Sequence, residues 1–220
     1  MVALQRRHVK SFRTRELSNV MWALSKLGPV PGREQLVRQL LEEAAGQLSY
    51  FNAQDTSNFL LALAHMEERS CGDLLEALCA EAAGKLPSFK TQELANSAWA
   101  IAKLDVRGER ATAFLGLLLQ EAAGRLQTCQ PQELSNMVWA LATLGWQEPA
   151  FVDALLKETA KQLHTFSPQH LANTLWALAT LGHECPPGFM PALLGYSKER
   201  FAAFKTLELT IMAWSLAVMR

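Results

Sequence analysis

Five places in this chain set two polar side chains two residues apart, a sixth keeps one of the two, and their types suit phosphate or base contact. The pairs are Arg13 and Arg15, Asn52 and Gln54, Lys90 and Gln92, Gln130 and Gln132, and Ser167 and Gln169, with Lys205 opening a sixth whose second member is Leu207. Lysine and arginine neutralise phosphate, and amide side chains offer both a donor and an acceptor to a base edge. The pairs lie six and four residues before Asn19, Asn58, Asn96, Asn136 and Asn173, and before Ile211 in the last copy. At the mouth of a helix they would be joined by free N–H groups and a partial positive charge, which attract phosphate. Ordinary capping and solvation explain the same residue types, so both accounts stand at this point. On the first account Lys85, Arg125 and Arg200, eleven residues before the Asn position, extend a basic stripe. The acids Glu16, Asp55, Glu93, Glu133 and Glu208, close to the pairs, weaken its field and argue against a binder blind to sequence.

These positions recur because the whole chain recurs. Stepping along Trp22, Leu61, Trp99, Trp139, Trp176 and Trp214 gives intervals of 39, 38, 40, 37 and 38 residues. A period in that range marks a solenoid. Each copy opens with an apolar stripe at helical spacing, such as Leu36, Val37, Leu40 and Leu41, or Phe151, Val152, Leu155 and Leu156. Pro149 and Pro187 mark where such first helices begin. Small-residue runs such as Glu81-Ala82-Ala83-Gly84 follow, where glycine suggests tight packing or fraying. A linker with an aromatic comes next, at Phe12, Phe51, Phe89, Phe166 and Phe204, with Cys129 the exception. The second helix then runs about 14 residues, as from Pro131 to Leu144, and Gly28, Gly145 or Gly182 stops it in three copies.

The expected fold is all-α, an α-solenoid of helix-turn-helix repeats, with five helical pairs and one extra second helix. The expected units are approximately residues 1–28, 33–66, 71–105, 111–145, 149–182 and 187–220, forming one array. Met1 to Lys10 reads as the second half of a first helix, and Arg220 falls in the last turn of a second helix, so the array reads as a segment of a longer one.

Two recurring positions carry chemistry of their own. The tryptophan is read as core, because Leu61 takes its place once and leucine cannot serve as a stacking platform. The linker aromatics are also read as core. The mid-helix asparagine is read as bridging to backbone in the adjacent repeat, with base or ribose contact as the alternative, since a buried amide must find partners. Trp146, off the repeat register, is a candidate surface contact.

Lysine plus arginine and aspartate plus glutamate both number 21, so net charge is zero, which disfavours indiscriminate nucleic-acid binding. Cys71, Cys79, Cys129 and Cys185 form no C-x-x-C pair and read as small apolar residues. The five histidines lack ligand spacing, and no phosphate loop or nucleophile elbow occurs, so neither enzyme activity nor a metal or other cofactor is expected. No apolar run reaches the ~18 residues of a membrane span, and no membrane contact is expected.

The run from Phe166 to His183, with Pro168-Gln169-His170-Leu171-Ala172-Asn173 leading to Trp176-Ala177-Leu178-Ala179, resembles the second half of an octotricopeptide repeat. Gln130 to Gly145 and Lys90 to Leu104 resemble it too, and the likeness covers essentially the whole chain. The pattern is similar to the helical repeats of FAST-kinase-like and RAP-type organellar proteins and to subunits of the kinetoplastid RNA-editing substrate-binding complex. The resemblance implies sequence-selective binding of single-stranded organellar RNA, in a mitochondrion or chloroplast, for transcript processing, stabilisation or translation. Other RNA-processing proteins are further partners it implies. No transit-peptide pattern and no RAP-type module are read in these residues. The alternative is a protein-docking scaffold of armadillo or HEAT type, which neutral charge favours.

Overall fold

The structure, a computed structural model, describes residues 9–27 and 31–219. The expected half-helix at the N-terminus lies outside them as far as His8, as do Gly28 and Arg220. Among the described residues the chain forms eleven α-helices and no strand. They are α1 (Thr14–Leu27), α2 (Arg33–Ala45), α3 (Ala53–Met66), α4 (Gly72–Ala83), α5 (Thr91–Leu104), α6 (Glu109–Ala123), α7 (Pro131–Leu144), α8 (Pro149–Gln162), α9 (Pro168–Leu181), α10 (Phe189–Glu199) and α11 (Thr206–Val218). Even-numbered helices open the hairpins and odd-numbered helices close them. The fold is the all-α solenoid that the period requires.

The small-residue runs end the first helices. The Gly46 N–H turns back to the Glu43 carbonyl and the Gln47 N–H to that of Ala44, and after Gly84 the Lys85 N–H returns to Ala82. One turn of 3₁₀ helix follows, over Leu48–Tyr50, Leu86–Ser88, Leu126–Thr128, Leu163–Thr165 and Phe201–Ala203. The backbone then extends through the linker position, with φ −62° and ψ 124° at Phe51, and drives its side chain into the core. Phe51, Phe89, Phe166, Phe204 and Cys129 are buried there, while Phe12 is half-buried. Pro149 starts α8 as expected. Pro187 does not start α10, because Gly188, at φ 82°, caps that helix in the left-handed region and shifts its first residue to Phe189.

The closing helices end at one register position. Glu67, Asp105, Gly145 and Gly182 all have positive φ, between 53° and 66°, and their N–H groups return to carbonyls of the last turn. Two of these four are not glycine, which is why the sequence marked only some of the stops.

The described residues form two compact units, one ending at Leu118 and one beginning at Leu119. In the first, α1 packs on α3 and α3 on α5; in the second, α7 packs on α9 and α9 on α11. Small side chains permit the close approach: Ala62, Ala64, Ala98, Ala100, Ala102, Ala140, Ala142, Ala177 and Ala179 are all buried. The closing helices α1 and α3 run parallel. In the first unit Thr14 Oγ1 donates to Asp55 Oδ2 at 2.8 Å and Ser18 Oγ to the Asp55 carbonyl at 2.9 Å, joining N-terminal ends, while Trp22 meets His65 near the other ends. Within each unit, stacking sets equivalent residues of successive copies side by side. Among the described residues no helix is long and apolar enough to cross a membrane.

Candidate nucleic-acid interface

The residues six before the Asn position are the N-caps of the closing helices, and those four before it sit in their first turn. In the first unit this gathers Arg13, Arg15, Asn52, Gln54, Lys90 and Gln92 at the N-terminal ends of α1, α3 and α5. In the second it gathers Gln130, Gln132, Ser167, Gln169 and Lys205 at the ends of α7, α9 and α11. All but the half-buried Ser167 are exposed. Asn52 and Ser167 spend their side-chain oxygens as caps, accepting from Asp55 N–H at 2.8 Å and His170 N–H at 3.3 Å. Arg13, Arg15, Lys90 and Lys205 form no ion pair among the described residues.

The first-turn acids sit at the same helix ends, and Glu16 is exposed there. The carboxylates of Glu16, Glu93, Glu133 and Glu208 accept the N–H of Arg13, Lys90, Gln130 and Lys205 at 2.6, 2.8, 3.0 and 2.8 Å. Asp55, Glu133 and Glu208 are buried. The carboxylates thus occupy the N-terminal positive ends of these helices, where a phosphate would otherwise be held by backbone N–H groups. A phosphate at this end would meet exposed side-chain cations rather than free backbone N–H groups.

Lys85 and Arg200 do not extend a basic stripe. The residue eleven before the Asn position is a strut to the preceding copy. Gln47 Nε2 donates to the Phe12 carbonyl at 2.8 Å, Lys85 Nζ to those of Ser49 and Phe51 at 2.7 and 2.8 Å, and Gln162 Nε2 to that of Cys129 at 3.1 Å. Arg200 donates to the Phe166 carbonyl at 2.8 Å and also to that of His164. The extended linker leaves the carbonyls of Phe12, Phe51, Cys129 and Phe166 outside any helix, and a buried acceptor must be satisfied. Arg125, just past the end of α6, pairs with Glu121 in that helix's last turn.

The tryptophans are not fully buried, and Trp99 packs on the edge of the core. Trp22 and Trp214 are 37% and 48% exposed, and Trp99, Trp139 and Trp176 are half-buried. The Asn one turn earlier shares that outward side: Asn19 is exposed and the other four are half-buried. None of the five amides hydrogen-bonds another group among the described residues, so the expected bridge to the neighbouring repeat is not made. Trp146 is half-buried and its Nε1 donates to Glu148 at 3.0 Å.

The rings form a ladder within each unit. Trp22 lies 5.6 Å from His65, which lies 5.5 Å from Trp99; in the second unit Trp139 lies 6.1 Å from Trp176. His65 explains the lone leucine. Leu61 takes the tryptophan's place, but a ring returns one turn later on the same face and touches the tryptophans on both sides. The substitution moved the ring rather than abolishing it. Burial, then the charges of Lys26 and Lys103, push the His65 pKa below its usual value, which favours the neutral ring. Lys26 Nζ stands 4.1 Å from the Trp22 ring centroid, a cation–π contact.

The Gln, Asn and Trp positions, with the one four residues beyond the Trp, follow the i, i+4, i+7, i+11 course of one helix face. That last position holds Lys26, His65, Lys103, Thr143, Thr180 and Val218. Over six copies these four positions supply 24 residues. None is acidic, although the chain has 21 acids, so this face presents only amides, rings, hydroxyls, aliphatic side chains and cations. The α11 copy departs, presenting Leu207, Ile211, Trp214 and Val218, all apolar.

The thiols are held as thiols: burial, chiefly, pushes Cys79 and Cys129 up to about 12 and Cys71 up to about 11. Among the described residues no three His, Cys, Asp or Glu side chains are grouped to hold a metal ion.

No curated protein matches the chain. The model of the Tbc2 translation factor N-terminal domain matches residues 108–220, which is 113 of the 220 residues. These residues include all three closing helices of the second unit, with Trp139, Trp176 and their amides. With more than half of its length under that model, this chain of repeated helical hairpins belongs to the Tbc2 translation factor N-terminal domain family.

Proposed function

We propose that this chain is a non-enzymatic, sequence-selective binder of single-stranded RNA, built of octotricopeptide-type repeats and acting in organellar gene expression. Membership of a translation-factor family supports a role in translation or transcript handling. The observation that carries the RNA reading is the acid-free exposed face, repeated helix after helix, with unpaired cations at its N-terminal rim. A polyanion needs that sign pattern, while the overall charge of zero limits attraction blind to sequence. Helical repeats that read RNA take about one base each, so the six copies correspond to roughly six nucleotides. The action is passive: occupancy protects a transcript end or keeps a ribosome site open. The site of action is a mitochondrion or chloroplast, with other RNA-processing proteins as further partners.

The test is fluorescence anisotropy with random single-stranded RNA of about twelve nucleotides, twice the roughly one-base-per-repeat footprint. Matched DNA and a salt series from about 50 to 200 mM complete it. Preference for RNA with a negative salt slope is expected, and Lys90→Glu and Lys205→Glu should each weaken binding. A helical, monomeric protein that binds no RNA at the lowest salt defeats the reading.

A second reading has one specific observation behind it. The α11 stripe leaves Leu207, Trp214 and Val218 69%, 48% and 49% exposed, beside a groove of about 440 Å³ lined by Phe201, Phe204, Leu209 and Met212. Such apolar surface suits a protein partner, and a scaffold role is the account left standing if RNA is not bound.

A further inference from the structure

We propose that the outward faces of α1, α3 and α5 in the first unit, and of α7 and α9 in the second, are the base-reading surfaces, with rings stacking on bases and the asparagine amides bonding to base edges. This rests on the RNA reading above and assigns its chemistry to residues other than those at the helix mouths. The N-terminal rim is left with the phosphates.

Three observations converge on this face. The first is the ring ladder. Trp22, His65 and Trp99, and separately Trp139 and Trp176, stand 5.5–6.1 Å apart, one ring per repeat. That register gives one base to each repeat. Every base has a π face, so the stacking contribution tolerates any sequence. Selectivity needs a second group.

The second observation is that group. The amides of Asn19, Asn58, Asn96, Asn136 and Asn173 lie one helical turn before the ring position and make no hydrogen bond among the described residues. Asparagine is a mediocre helix former, and nothing in the hairpin's own hydrogen bonding calls for it there. An amide beside a ring can bond the edge of the base that lies on the ring. In α11 Ile211 replaces it, and that helix is outside the proposal.

The third observation is the migration of the ring in α3. Leu61 removes the ring at the repeat position, and His65 restores one on the exposed face in contact with both neighbours. Continuity of an outward aromatic surface is what this arrangement preserves. The lowered His65 pKa agrees with its use as a neutral ring.

Trp176→Leu and Asn173→Ile test the assignment. Leu61 and Ile211 already occupy these positions, so the helix tolerates both changes. RNA binding is followed by anisotropy and by intrinsic tryptophan fluorescence. Stacking should quench the wild-type fluorescence on RNA addition, and Trp176→Leu should weaken binding by about tenfold. Asn173→Ile should alter affinity for one base at one position of a bound oligonucleotide, leaving the salt slope unchanged. Lys90→Ala should do the reverse, lowering affinity for all sequences and flattening the slope. RNA binding with unquenched fluorescence and wild-type affinity in Trp176→Leu overturns this inference and leaves the RNA function standing on the rim. Absence of any RNA binding overturns both. Should Trp176→Leu lose helicity, the wild-type quenching by RNA still decides between stacking and rim contact alone.

Discussion

Lys85 Nζ donates to the Phe51 carbonyl at 2.8 Å, reaching a linker 34 residues earlier in the chain. Charge alone places this lysine on a binding surface, yet its ammonium is committed to holding one hairpin against the previous one. Gln47 and Gln162 do the same work with an amide. Lys85→Gln should therefore keep the fold and leave RNA affinity near wild type. Lys85→Ala should cost about 1–2 kcal/mol, since a charge-assisted bond and its acceptors are lost at a half-buried site. Urea denaturation of the two variants, beside RNA titration, checks both statements. Equal RNA losses in the two variants would return Lys85 to the binding surface.

The helix stops make a second prediction. Glu67 sits at φ 53° in a position where Gly145 and Gly182 sit at 66° and 62°. A left-handed conformation costs a side-chain-bearing residue about 1–2 kcal/mol. Glu67→Gly removes that cost and gives up an exposed 2.9 Å ion pair with Lys103, which solvent screens. Net stabilisation of about 0.5–1 kcal/mol is expected, and Gly145→Ala should lose about 1 kcal/mol. Thermal melts followed by circular dichroism measure both.

Glu76 and Gly108 form a coupled pair. The Glu76 carboxylate accepts the N–H groups of Arg110 and Ala111 at 2.9 and 3.3 Å, capping α6 from the preceding hairpin. A Cβ on Gly108 would stand 2.2 Å from Glu76 Cδ. Gly108→Ala should displace the carboxylate and cost about 1 kcal/mol, the value of a helix cap. With Glu76→Ala already present the same change should cost nothing. A double-mutant cycle that finds the two effects additive would show that the contact is not energetically used.

Acidification should loosen the fold through two histidines. Burial holds His170 below its usual pKa of 6.5, and burial with two nearby cations does so for His65. The folded state then favours the neutral ring, so the unfolded chain binds protons first as pH falls below about 6.5. Stability is full above that value and declines until the folded-state pKa values are passed. Urea midpoints measured from pH 7.5 down to 5 should fall, and His65→Phe, which keeps a ring in the ladder, should make the fall shallower.

Much of the architecture was legible in the chain itself. The period, the hairpin, the linker aromatics and the closing-helix bounds from Pro131 to Leu144 all follow from residue pattern, because helix caps, prolines and apolar spacing act locally. The stops at Glu67 and Asp105 were not legible, since tertiary context imposes a backbone conformation that neither residue type announces.

The candidate site divides along the same line. Sequence alone determined which residues repeat and therefore which positions stand side by side in successive copies. It could not determine which side of each closing helix faces outward. Ala at the packing positions and Trp one step around the helix both look apolar, and only the close approach of parallel closing helices decides that the small side chains go inside and the rings stay at the surface. The same is true of charge. Lys85 and Lys90 are equal cations in the sequence, and the tertiary structure alone joins one to backbone carbonyls of the preceding hairpin and leaves the other exposed, because hydrogen-bond partners 34 to 36 residues away exist only once the hairpins stack.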